Sequence, residues 1–131
     1  MDKIALVEKE IEDGKKLLEE LDKNSFFLVK AALWLYIEEL NDWRLIIASP
    51  YLDDNPPQKA YHFINEALKR ISPDSSISLK DITIISNKHA LISTITRTIQ
   101  IAPKGIGGVR MNHTVLNGIP IESAYIYRLA R

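Results

Sequence analysis

Seven consecutive apolar residues, Ala31-Ala32-Leu33-Trp34-Leu35-Tyr36-Ile37, constrain the fold of this chain more than any other feature. A strand built from them has no polar face, so it must be central in a sheet or covered on both sides. The wider stretch from Phe26 to Ile37 is 12 residues long and contains Lys30. A membrane-spanning helix needs roughly 20 apolar residues, so a buried strand is expected over 26–39, with no membrane partner. Asn41-Asp42 suit a tight turn, and Trp43 to Ser49 return as an antiparallel strand. A two-residue turn sets Glu39 opposite Arg44 and Ile37 opposite Ile46.

The segments on either side read as helices and strands by their periodicity. Ile4, Val7, Ile11, Leu18 and Leu21 recur at helical spacing over 3–21, with Gly14 at the position where an apolar residue is missing. Glycine inside a helix costs about 1 kcal/mol against alanine, so packing must repay it or the helix bends there. Asn55 and Pro56 suit the start of a second helix, which carries Ala60, Tyr61, Ile64, Ala67, Leu68 and Ile71 and stops at Ser72-Pro73. Leu79 to Ser86 is a third strand. Residues 88–101 place Leu91, Ile92, Ile95 and Ile99 on one helical face, although their threonines and isoleucines favour strands. Their length favours the helix.

Asn117-Gly118 between two apolar runs is the strongest short hairpin signal, pairing Val109–Leu116 with Ile119–Leu129. In that register Val115 faces Pro120, His113 faces Glu122 and Arg110 faces Tyr125. Proline donates no N–H, so the outer side of the last strand should be open near Pro120. The expected fold is therefore a single α+β domain over 1–131. It has a mostly antiparallel five-stranded sheet and three helices, in the order α-β-β-α-β-α-β-β.

Composition excludes several function classes. The chain has no cysteine, which removes disulfide scaffolds, thiolate nucleophiles and zinc ribbons together. Its beginning runs into a charged amphipathic segment without a secretory apolar core, and a cytoplasmic protein is expected. Net charge is zero but uneven: residues 1–66 hold 14 acidic and 8 basic side chains, and residues 67–131 hold 3 and 9. Such a division means either an anion-binding face or two halves that attract each other within one fold.

The segment Ala102 to Arg110 is the best candidate site. Gly105, Gly107 and Gly108 would let backbone N–H groups approach an anion, with charge from Lys104 and Arg110. Arg97, His113 and Arg128 lie on neighbouring elements and complete the candidate set. The segment lacks the spacing of a phosphate-binding P-loop and precedes a strand. A left-handed helix cap at Gly105 is the competing structural role. Asp53-Asp54 are a loop carboxylate pair better suited to a helix start than to a cation. His62, His89 and His113 are too scattered for a metal site, no serine lies in a nucleophile elbow, and no cofactor fingerprint occurs. Tyr125 and Tyr127 beside Arg110 and Arg128 are a weak nucleic-acid pattern.

The sequence thus leaves the function unknown and favours a non-enzymatic binding or assembly protein. Self-association as a homodimer or larger species is expected from two-faced apolar strands and near-zero charge. The alternative is a module for an anionic ligand or nucleic acid in the basic second half, including an enzyme with its site there.

Overall fold

In the computed structural model, which describes residues 5–71 and 73–131, the apolar run forms β1 (Ala31–Ile37) in the middle of a sheet. The other strands are β2 (Asp42–Ala48), β3 (Ile82–Ile85), β4 (Val109–Leu116) and β5 (Ile119–Leu129). Their order across the sheet is β3-β2-β1-β5-β4. Both faces of β1 are covered, as its composition requires. Ala32 and Trp34 pack with Leu17, Leu18, Ile64 and Ala67, which belong to helices α1 (Glu8–Asp22) and α3 (Pro57–Ile71). Ala31 and Leu33 pack on the other face with Ile92 and Ile95 of helix α4 (Ala90–Thr96).

The α+β class and the element order hold, with one added turn of helix, α2 (Tyr51–Asp54), where a loop was expected. The sheet, however, is mixed and not mostly antiparallel. β1/β2, β1/β5 and β4/β5 run antiparallel, while β2/β3 runs parallel. The cause is α3, which lies between β2 and β3 and returns the chain to the end of the sheet where β2 began. Hairpins at both ends of the sequence gave no warning of this crossover.

Several local expectations change: β1 spans Ala31–Ile37 and not 26–39, and Leu79–Asp81 is a 3-10 turn that leaves β3 only Ile82–Ile85. The β1–β2 connection is a 3-10 turn over Glu38–Leu40, closed by Asn41 at φ 50°, so Arg44 stands opposite Leu35 and not Glu39. Arg44 instead reaches across to β3, donating to the Thr83 hydroxyl at 3.1 Å and the Ile82 carbonyl at 3.1 Å. α4 ends at Thr96 rather than near Ile101. The β-branched run there has poor helix propensity, and Ile101 pairs with Leu129 through two backbone bonds. α1 starts at Glu8 after the exposed Val7, whose N–H is accepted by Glu10 at 3.2 Å. Its expected start at Lys3 lies outside the described residues, as does Ser72 beyond the end of α3.

The terminal hairpin follows the expected register, with Val115 opposite Pro120 and Arg110 opposite Tyr125. Asn117 at φ 49° and Gly118 at φ 83° make the turn. The two oppositely charged halves meet inside the fold. Arg70 pairs with Glu20, Lys88 with Asp53, and Arg128 with Asp22.

Candidate functional site

The sheet is forked. β1 and β5 are paired only from Ala31/Leu129 to Leu35/Ala124. Beyond that point β1 stays with β2 as far as Ile37/Asp42, and β5 stays with β4 as far as Leu116/Ile119. The two hairpin tips therefore diverge, and the opening near Pro120 expected from the sequence is the gap between them. The cleft holds about 340 Å³. One wall is 35–39, the other is 119–122, and Leu91 of α4 also lines it. Leu35, Ile37, Ile119 and Ile121 make its interior apolar, and Glu38, Glu39 and Glu122 give its rim three negative charges. His113, at φ 48° in β4, puts Nδ1 3.3 Å from the Glu122 carboxylate.

At the opposite end of β1 the chain exposes what a core would bury. In the loop before the strand, Phe26 is 78% exposed and Leu28 is 54% exposed. Phe27 between them is buried and packs against Tyr51 and Phe63, at ring separations of 5.5 and 5.9 Å. This alternation holds Phe26 and Leu28 outward. Beside Phe26, Lys23 and Arg70 share the single carboxylate of Glu20, at 3.1 and 2.8 Å, which leaves the rim net positive. The two cations hold the Glu20 carboxyl below its ordinary range, Arg70 more strongly than Lys23.

Of the eight residues singled out around the glycine segment, the structure brings Gly105 and Arg128 into contact and sets Gly108 and Arg110 against Tyr125, while Arg97 lies elsewhere. Arg128 is 5% exposed and uses four of its five N–H groups: it forms two bonds to the Asp22 carboxylate and donates to the carbonyls of Gly105 and Val29. The N–H groups of Gly105 and Gly107 are bonded to the carbonyls of Ala102 and Tyr127. Gly107 and Gly108 border a cleft that also contains Glu8, Glu12 and Lys15. Gly108 is needed for close approach, because a Cβ there would meet Cζ of Tyr125 at 3.0 Å. Arg110 lies over the Tyr125 ring, 5.4 Å from its centroid. Lys104 is exposed and His113 is on the fork's outer hairpin.

Arg97 lines a different cavity, of about 630 Å³, with Asn87, Lys88, Ser93, Thr96 and Arg131. Sequence reasoning missed Lys88, Arg131 and Asn87 as a group. Only the polar helical face Ser93-Thr96-Arg97 was available to signal it, and Arg131 is distant in sequence. Arg131 donates Nε to the Thr96 carbonyl at 3.2 Å. Asn87 Oδ1 is buried without a hydrogen-bond partner. Asp53 lies 3.4 Å from Lys88 Nζ, and the Ser86 hydroxyl, followed by Lys88, holds its carboxyl below the ordinary range.

Among the described residues, no helix is long and apolar enough to cross a membrane, and no three histidine, aspartate or glutamate side chains are placed to hold a metal ion. Comparison with known protein families, curated proteins and solved structures finds no match for this chain.

Proposed function

We propose that the chain is a non-enzymatic assembly protein of the cytoplasm, whose copies join head to tail. The exposed Phe26–Leu28 loop of one copy seats in the forked sheet of the next. The observation that carries this reading is the fork: two strands whose facing edges stop pairing around an apolar, acid-rimmed cleft. Unpaired strand edges with an apolar floor are what an extended apolar segment needs.

Charge and hydropathy select the occupant. The fork rim carries Glu38, Glu39 and Glu122, and the Phe26 rim carries Lys23 and Arg70 against one Glu20. Burying Phe26 and Leu28 would contribute about 1.5–3 kcal/mol each, enough to matter against the cost of association. The loop precedes β1 and the fork follows it, so the two surfaces are at opposite poles of the same strand. Their contact is heterologous, which gives a ring or an open chain of copies and not a closed two-fold dimer.

Mixing two variants tests this directly. Phe26→Ser with Leu28→Ser removes the inserting loop and leaves the fork intact. Glu38→Lys with Glu39→Lys reverses the fork and leaves the loop intact. In sedimentation at tens of micromolar the parent should form species larger than a dimer, and each variant alone should be monomeric. Their mixture should stop at a one-to-one dimer, since only one productive contact remains. A monomeric parent, or a mixture that stays monomeric, excludes the proposal.

A further inference from the structure

We infer a second site, independent of the fork, in which the cavity beside α4 binds the dianionic phosphate of a small phosphate monoester. Lys88, Arg97 and Arg131 border one cavity, and no acidic side chain is among its lining residues. Asp53 pairs with Lys88, and three cationic side chains against that one acidic side chain leave the side chains around the cavity net positive. A phosphate monoester carries about −1.5 to −2 charge near pH 7, more than the single charge of a diester, and so gains more from those cations.

The donor chemistry agrees with the charge. Arg97 has no carboxylate partner among the described residues. Arg131 spends Nε on the Thr96 carbonyl, which fixes its guanidinium and leaves both Nη groups available. Two planar guanidinium groups with an ammonium favour a group with several acceptor oxygens, because each arginine bonds two oxygens at once. Ser93 adds a hydroxyl. Asn87 borders the same cavity and adds a polar side chain to its lining. The cavity is open to solvent on one side, so an ester group on the phosphate can extend outward without a clash.

The site differs from the glycine segment, whose N–H groups are occupied and whose neighbours include Glu8 and Glu12. It also differs from a nucleic-acid surface, which would need cations in a track and not around one hollow.

Titration calorimetry with four probes tests the assignment: inorganic phosphate, phenyl phosphate, dimethyl phosphate and a short oligonucleotide without terminal phosphate. Phenyl phosphate and inorganic phosphate should give saturable isotherms, with dimethyl phosphate at least tenfold weaker. Arg97→Ala and Arg131→Ala should each weaken phenyl phosphate at least tenfold, and Lys104→Ala with Arg110→Ala should leave it unchanged. Arg97 is exposed, so its loss should not compromise folding. Tighter binding of the oligonucleotide than of phenyl phosphate overturns the site in favour of a nucleic-acid surface. An isotherm indifferent to Arg97→Ala, or none at millimolar ligand, overturns it outright.

Discussion

The hydroxyl of Tyr127 occupies the space that a side chain at Gly14 would need. It accepts a bond from Trp34 Nε1 at 3.0 Å and donates to the Ile11 carbonyl at 2.7 Å, joining the sheet to the middle of α1. A Cβ built at Gly14 would also meet Tyr127 Cζ at 2.9 Å and Trp34 Nε1 at 3.0 Å. Tyr127 reaches this position because the β1–β5 register shifts between Ala32 and Leu33, leaving it unpaired with β1 as an extra residue of β5. Burial pushes its hydroxyl pKa far above the ordinary value, so it stays protonated and can keep donating. Gly14 costs helix propensity and gains a close helix–sheet contact.

Gly14→Ala should therefore destabilise, although the same change in an open helix gains about 1 kcal/mol. Overpacking at this contact should cost about 1–3 kcal/mol, read as a lower midpoint in urea unfolding. Tyr127→Phe removes the colliding hydroxyl but strands the Trp34 N–H, at about 1–3 kcal/mol. The double variant should be more stable than the sum of the two losses allows. Strict additivity would mean that the two positions do not compete for space.

Arg128 and Asp22 give a second prediction. Asp22 is at the end of α1 and Arg128 near the end of β5, with the guanidinium bonded at 2.9 and 2.7 Å to the two carboxylate oxygens. Asp22→Ala leaves a buried cation with only backbone carbonyls and should cost about 3 kcal/mol. Arg128→Lys should recover little, since an ammonium cannot reproduce two parallel bonds to one carboxylate. Equal stability of Arg128→Lys and the parent in thermal unfolding would show that the paired geometry contributes nothing.

Much of the fold was legible because it depends on local rules. An apolar run without alternation had to be central, Asn117-Gly118 had to turn, and Pro120 marked a strand side without a neighbour. Long-range facts were less accessible. The parallel β2–β3 pairing depends on where α3 returns the chain, and Arg44 could not be paired until the Glu38–Leu40 turn was known. For the candidate site, residue type was readable and availability was not. Arg128 reads as a free cation until Asp22, 106 residues away, is seen to occupy it. The three cations around the α4 cavity lie in separate segments, and only Arg97 could be singled out.

Acid stability should depend on Asp13. This side chain is 2% exposed on α1 and accepts bonds from the Ser76 N–H at 2.8 Å, the Ser76 hydroxyl at 2.7 Å and Lys9 at 3.1 Å. Burial pushes its carboxyl up, but the bonds from Ser76 and Lys9 outweigh it and hold the folded value below the ordinary one. A carboxyl lowered on folding stabilises above its unfolded pKa of about 3.9, and that stability is lost as pH falls through the folded value. Glu20 and Asp53 are lowered in the same direction. The urea midpoint should fall below about pH 4, and Asp13→Asn should flatten that decline while lowering stability at pH 7. An acid limb unchanged by Asp13→Asn would assign it to other groups.

The hairpin turn offers a test in which backbone conformation acts alone. Gly118 has φ 83°, and nothing lies within 4 Å of where its Cβ would be, so a substitution there meets no steric neighbour. Gly118→Val should cost about 1–2 kcal/mol because a β-branched residue is disfavoured in the left-handed region. Gly118→Asn should cost much less, since asparagine tolerates that conformation. The turn is also tied to α4, where Asn117 Nδ2 donates to the Thr94 carbonyl at 3.1 Å. Loosening it should free the β4–β5 tip, one arm of the fork, before the rest of the sheet. Hydrogen exchange in Gly118→Val should therefore accelerate at Val115, Leu116 and Ile119 more than at Leu33 or Ile47. Head-to-tail association should weaken by more than the loss of global stability accounts for. Uniform acceleration across the sheet would mean that the turn is not a local hinge of the fork.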